Sequence, residues 1–203
     1  MKKLFGILLV IIILLSGCAS IKDNPTFKPD TKADPGMGYF FGTLSVYNKE
    51  IWEGGFGLQY INLDNEKETV SLVHAKTKRN PDSAPKFGVP DEFRKEMMVI
   101  VPVKPGRYKL TTILFLHHRT TVEKQKDVVN MPEYTQEIVI QPGTMYYIGD
   151  WVGAYHYSES FSGRSYNWNM VETYNRFEET KAVMEADYPA FTGWKMENTI
   201  QGK

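Results

Sequence analysis

From Tyr39 to Tyr174 the apolar residues recur mainly at every second position, the period of strands whose successive side chains point to opposite faces. YFFGTLSVY (39–47) opens this region. GFGLQYINL (55–63) and TVSLVHAK (69–76) follow, separated by the polar stretch Asp64–Glu68, which suits a hairpin turn. Two later units share one plan: MMVIVPVKPGRYKLTTILFL (97–116) and EIVIQPGTMYYIGDWVGAYHY (137–157) each run apolar strand, Pro-Gly, then aromatic strand. The pairs Pro105-Gly106 and Pro142-Gly143 carry type II turn chemistry, with proline presetting the first central position and glycine supplying positive φ at the second. They are expected to form corners. In RSYNWNMVETY (164–174), Tyr166, Trp168 and Met170 are expected on one face and Asn167 and Asn169 on the other, after a loop at Ser158–Gly163. The period then changes. Phe177, Thr180, Met184 and Tyr188 fall on one helical stripe and Pro189 stops it, which predicts a helix over about 176–188.

Seven to nine strands, one C-terminal helix and no β-α alternation predict an all-β protein, an antiparallel β-sandwich or a partly closed barrel, with the helix as a lid or edge cover. With 203 residues, 42% hydrophobic and 24% charged, the chain has the length and composition of one globular domain. Its formal net charge of zero argues against a nucleic-acid partner, whose phosphates call for a basic face. One cysteine excludes a disulfide framework and a cysteine-based zinc site.

That cysteine has a specific setting. Residues 1–18 read MKKLFGILLVIIILLSGC: Lys2 and Lys3 precede an apolar run from Leu4 to Leu15, too short for a bilayer-spanning helix and of the right length for a secretory signal. The junction Leu15-Ser16-Gly17-Cys18 resembles the lipobox of bacterial lipoproteins. The resemblance implies that residues 1–17 are removed as a signal peptide and that Cys18, carrying diacylglycerol and palmitate-type acyl chains, becomes the N-terminus. Two or three chains hold a soluble domain on a membrane where one is marginal. Ala19 and Ser20 stand where enteric-type bacteria place an inner-membrane retention Asp, so the outer membrane is expected over the inner one, on its periplasmic or surface side. VKPGRY and IQPGTMYYIGD also resemble the corners of small bacterial lipoproteins that carry a prealbumin-like sandwich domain of unknown function; the likeness implies a prealbumin- or immunoglobulin-like sandwich and transfers no catalytic residue.

Residues 18–38 alternate Lys with Asp and contain Pro25, Pro29 and Pro35, which reads as a lipidated, flexible tether adding almost nothing to domain stability. Its twenty residues after Cys18 would reach about 65–70 Å if fully extended. The folded domain is expected at 39–203. Within it, TKRNPDSAPKFGVPDE (77–92) is long for a loop and is a candidate functional segment.

The sequence contains no G-x-S-x-G, H-E-x-x-H or G-x-x-x-x-G-K motif and no Asp-rich calcium loop. Consecutive His117 and His118 point to opposite faces of a strand and do not easily chelate one metal; His74 and His156 lie elsewhere in the chain. Carboxylate pairs of the glycosidase kind are set by the fold rather than by spacing and stay open. Ten of the 27 aromatic residues fall within 146–177. Cross-strand aromatic pairing accounts for them most economically; the functional alternative is a face of Trp151, Tyr155, Tyr157 and Trp168 that stacks on sugar rings or meets an apolar patch. The expectation is therefore a lipid-anchored, non-catalytic envelope module without metal or cofactor, binding an envelope protein or glycan. The alternatives are an envelope hydrolase or metal-dependent enzyme assembled from distant residues, and a barrel-like carrier of apolar ligands.

Overall fold

The computed structural model describes residue 27 and residues 31–48, 54–74, 94–117, 121–127, 136–161 and 163–200; side chains are described for 27, 31–45, 56–73, 98–114, 136–153, 161 and 173–200. Ten strands form among these residues: β1 (Gly38–Asn48), β2 (Gly54–Asn62), β3 (Thr69–His74), β4 (Arg94–Val103), β5 (Gly106–His117), β6 (Thr121–Asp127), β7 (Ile138–Ile140), β8 (Thr144–Ser160), β9 (Gly163–Tyr174) and β10 (Lys195–Asn198). Helix α1 (Phe177–Asp187) and a 3₁₀ turn (Pro189–Phe191) lie between β9 and β10.

The strands make two five-stranded sheets. Sheet A runs β10-β8-β1-β4, with β9 also on β8; sheet B runs β3-β2-β5-β6, with β7 also on β5. Neither closes, so the barrel alternative is replaced by two open sheets. Phe40, Leu44, Val99, Tyr146, Ile148 and Trp151 from sheet A meet Phe56, Leu58, Tyr60, Tyr108, Leu110 and Ile113 from sheet B in one shared core.

Both Pro-Gly pairs are corners between the sheets. Pro105-Gly106 hands the chain from β4 to β5 and Pro142-Gly143 from β7 to β8. Gly143 has φ +69, the type II value; Gly106, at φ +150, instead opens β5 directly. The polar stretch 64–68 joins β2 to β3 as an antiparallel hairpin. Asn62 Oδ1 accepts the Asp64 and Asn65 N–H groups, and the Asp64 carboxylate accepts Arg107 N–H at 2.9 Å and Nε–H at 2.8 Å. Those bonds and the guanidinium charge hold the Asp64 carboxyl below its usual range and tie this hairpin to the Gly106 corner.

Several expectations are corrected. The sandwich is not purely antiparallel: β8 runs parallel to β1 and to β10. Parallel neighbours need a long crossover, and for β1 and β8 the whole of sheet B supplies it. The loop expected at Ser158–Gly163 is largely strand, since β8 continues to Ser160 and β9 begins at Gly163. The expected faces of Tyr166, Trp168 and Met170 and of Asn167 and Asn169 concern side chains outside the described residues; on the backbone, Trp168 pairs with Tyr155 and Met170 with Ala154, with a bulge between the two pairs.

Helix α1 forms where the apolar period predicted it, with Glu178 and Glu179 complementing the dipole of its first turn. It covers a face rather than an edge. Met184, Phe191 and the half-buried Phe177, Tyr188 and Trp194 pack on Tyr39, Phe41, Ile100, Met145 and Tyr147, the outward side chains of sheet A. Sheet A is thus buried on both faces, whereas Arg107 and Lys109 of sheet B are exposed.

Packing also begins upstream of the expected boundary at residue 39. Phe27 stacks on Phe191 with ring centroids 4.8 Å apart and meets Tyr39 edge-on at 5.9 Å. Asp34 N–H donates to the Tyr39 hydroxyl at 2.9 Å, and Gly143 N–H donates to the Met37 carbonyl at 2.9 Å. Part of the expected 18–38 tether therefore belongs to the folded unit: a large ring with partners on two elements is worth more buried than solvated. Phe27→Ala should lower stability by about 1–2 kcal/mol, below the cost of truncating a fully buried phenylalanine. Urea unfolding of the wild type and variant checks this.

Candidate functional site

A fully buried carboxylate sits where β8 changes step against β1. Phe41 pairs with Tyr147 but Thr43 pairs with Asp150, so β8 carries one extra residue. Gly149 absorbs it at φ +95, a conformation that a side chain would strain, and a Cβ on Gly42 would lie 2.4 Å from the Gly149 carbonyl oxygen. The bulge turns Trp151 into the core shared with sheet B and Asp150 towards helix α1.

Asp150 is 1% exposed. Its Oδ1 accepts the Thr43 N–H at 3.2 Å and its Oδ2 accepts the Thr180 hydroxyl of α1 at 3.4 Å. Tyr147 lies beside it: its hydroxyl donates to the Tyr174 carbonyl at 3.2 Å and accepts the Arg176 N–H at 2.8 Å. Burial first, and the negative charge of Asp150 second, push the Tyr147 hydroxyl far above the ordinary tyrosine range. Thr43 Oγ1 and Thr173 Oγ1 are buried without hydrogen-bond partners. This polar seam joins β1, β8 and α1. Its acid ties the helix layer to sheet A through Thr43 and Thr180 and lines neither of the two clefts described below. Asp150→Ala should cost about 1.5–3 kcal/mol, because a buried N–H and a hydroxyl lose a charged acceptor; equilibrium unfolding of the variant measures it.

Among the described residues, two clefts open at the surface. One of about 290 Å³ lies between strands β7 and β10, lined by Gln136, Glu137, Ile138, Tyr146, Lys195 and Glu197 among others. Its carboxylates are engaged: Glu137 faces Arg107 at 3.8 Å and Glu197 holds Lys195. The Tyr146 hydroxyl accepts the Gln141 N–H at 2.8 Å. The second, of about 300 Å³, lies at the start of α1 between Asn175, Arg176, Glu178, Glu179 and Asn198. Arg176 pairs there with Glu179, and Asn198 Nδ2 donates to Asn175 Oδ1 at 3.0 Å. Both clefts are small, polar and ion-paired. They can hydrogen-bond a small polar ligand but present no nucleophile activated by a neighbouring base. Among the described residues no group of three or more His, Cys, Asp or Glu is placed to hold a metal ion.

The sequence-derived site residues separate. Trp151 is a core residue, 1% exposed, with its Nε1–H donating to the Ile148 carbonyl at 2.7 Å. It does not belong to a solvent-facing patch. Tyr155, Tyr157 and Trp168 are brought onto one ribbon: Tyr155 pairs with Trp168 and Tyr157 with Tyr166. The side chains of Tyr155, Tyr157 and Trp168 lie outside the described residues. Cys18, the 77–92 segment and His118 also lie outside the described residues, as do the side chains of His74, His117 and His156. At the end of the ribbon Phe161 is fully exposed. Asp150 was missed by sequence reading. Its signal was present in YYIGDWVGAY, where a lone acid follows a glycine in an otherwise apolar strand and must find partners when buried.

Compared with known proteins, the chain matches no family model, no curated protein and no solved structure.

Proposed function

We propose that the chain is a lipid-anchored cell-envelope protein whose two-sheet domain is a non-catalytic binding or structural module. The observation that carries this reading is Leu15-Ser16-Gly17-Cys18, which places the only cysteine of the chain at the end of a signal-length apolar run behind two lysines. No described helix is long and apolar enough to cross a membrane, so the anchor in this reading is covalent lipid. The corners VKPGRY and IQPGTMYYIGD support a prealbumin-like type of sandwich. The non-catalytic reading is supported by the use made of the acids in the folded unit: Asp150 binds groups of β1 and α1, and Glu137 and Glu197 are ion-paired. The partner in this reading is an envelope protein or a glycan, at the outer membrane.

The test is Cys18→Ala. The thiol is the acyl acceptor, so the variant should lose palmitate labelling completely and remain as the uncut precursor. Retained labelling overturns the reading.

A further inference from the structure

We infer that the protein carries a short leash: the arm is clasped onto the domain at Phe27, which leaves at most the chain from Cys18 to Phe27 to span the distance to the bilayer. The inference rests on the lipid-anchor reading above and adds to it a limit on where the domain works. Four rings make the clasp. Besides its contacts with Phe27, Tyr39 meets Phe191 at 4.9 Å and Trp194 at 5.5 Å, and Phe191 meets Trp194 at 5.3 Å, each edge-to-face. Ala33 and Met37 pack on the same cluster. The arm is then pinned by Asp34 N–H on the Tyr39 hydroxyl, by Met37 N–H on the Asp34 carbonyl at 3.1 Å and by Gly143 N–H on the Met37 carbonyl.

The consequence is a length. Phe27 stands nine chain steps beyond Cys18, a span of at most about 30 Å, where an undocked arm to residue 38 would reach about 65–70 Å. The clasp lies at the start of β1, and Tyr39 pairs with Met145 at the start of the parallel strand β8. Both strands run away from it. The fully exposed Phe161, sixteen residues beyond Met145, therefore lies towards the far end of β8, at most about 50 Å along the strand from the clasped pole. The anchor holds one pole of the domain near the lipid headgroups and leaves the β8–β9 ribbon projecting from the other.

Trypsin reads the clasp directly, because a docked chain is a poor substrate and a free one is cut. Lys22 precedes the clasp and Lys32 lies in the docked arm, while Lys28 is protected by Pro29. The full lipidated protein is placed in phosphatidylethanolamine–phosphatidylglycerol vesicles, floated, treated with trypsin, and the released domain is sequenced from its N-terminus. The wild type should be released with Asp23 first. Phe27→Ser should expose the bond after Lys32, raise its cleavage rate at least tenfold and yield Ala33 first. Phe27→Leu, which keeps an apolar contact, should fall between them. Cutting after Lys109 within β5 would reveal a variant that has failed to fold, and Phe27→Leu then carries the test. If the wild type is cut after Lys32 as fast as after Lys22, the clasp is overturned. If the protein does not float at all, the lipid-anchor reading fails instead, and the same digestion still decides whether the arm is docked.

Discussion

Trp151→Ala should unfold the domain rather than weaken any binding event. The indole is buried within the core shared by the two sheets, and its truncation removes the contacts of a large ring while orphaning the Ile148 carbonyl that accepts its N–H. Losses for buried aromatic residues of this kind run to about 3–5 kcal/mol. For a chain of this size that corresponds to a fall in Tm on the order of 10 °C. The same alanine series at Tyr155, Tyr157 and Trp168 separates core from surface: stability falls where the ring is interior, and capture of an envelope protein or glycan falls where it is a contact residue. A Trp151→Ala variant that melts like the wild type but loses a partner would return this residue to the binding face and overturn the core assignment.

Alkaline pH should destabilise the fold steeply. Burial raises the Tyr60 hydroxyl far above its ordinary value near 10, and burial together with Asp150 does the same for Tyr147. A group whose folded pKa lies above its unfolded pKa contributes its stability in full below the unfolded value and loses it as pH rises above that value. Above about pH 10 the unfolded chain releases both protons while the folded chain retains them. Each tyrosine then lowers stability by about 1.4 kcal/mol per pH unit, and the pair by about 2.7. A domain of ordinary stability, about 5–15 kcal/mol, loses a large part of it by pH 12. Urea unfolding at pH 9, 10 and 11 measures the slope, and Tyr60→Phe should remove one proton from it. A stability that stays level from pH 9 to pH 11 would show that these hydroxyls ionise as freely in the folded chain as in the unfolded one.

The aromatic density of 146–177 shows how a pattern was legible while its cause was not. Read along the chain, so many rings fit cross-strand pairing first, with a surface platform as the functional alternative. In the fold, the first half of β8 is covered on both sides: Tyr146 and Trp151 face sheet B, and Tyr147 faces the layer of α1. A strand buried on two faces has a reason to be aromatic at consecutive positions. Nothing local distinguishes that strand from one with an exposed aromatic face, because the second cover comes from α1 and the 3₁₀ turn, more than twenty residues later.

What the sequence determined by itself was local: the strand period, the Asp64–Glu68 hairpin, the two Pro-Gly corners, and the helix ending before Pro189. Each depends on residues within a few positions of one another, through pleat, turn and capping geometry, and each is found in place. Strands β6 and β10 carried too short or too charged a pattern to be seen: TVEKQKD and KMEN have few apolar residues to set a period. The tertiary structure alone decided the parallel pairing of β1 with β8, the docking of Phe27 on Phe191, and the partners of Asp150. Asp150 meets Thr43 across 107 residues of chain and Thr180 across 30. Contacts over such separations arise only when two sheets and a helix layer close on one another, and a buried charge takes its partners from that closure, not from its neighbours in sequence.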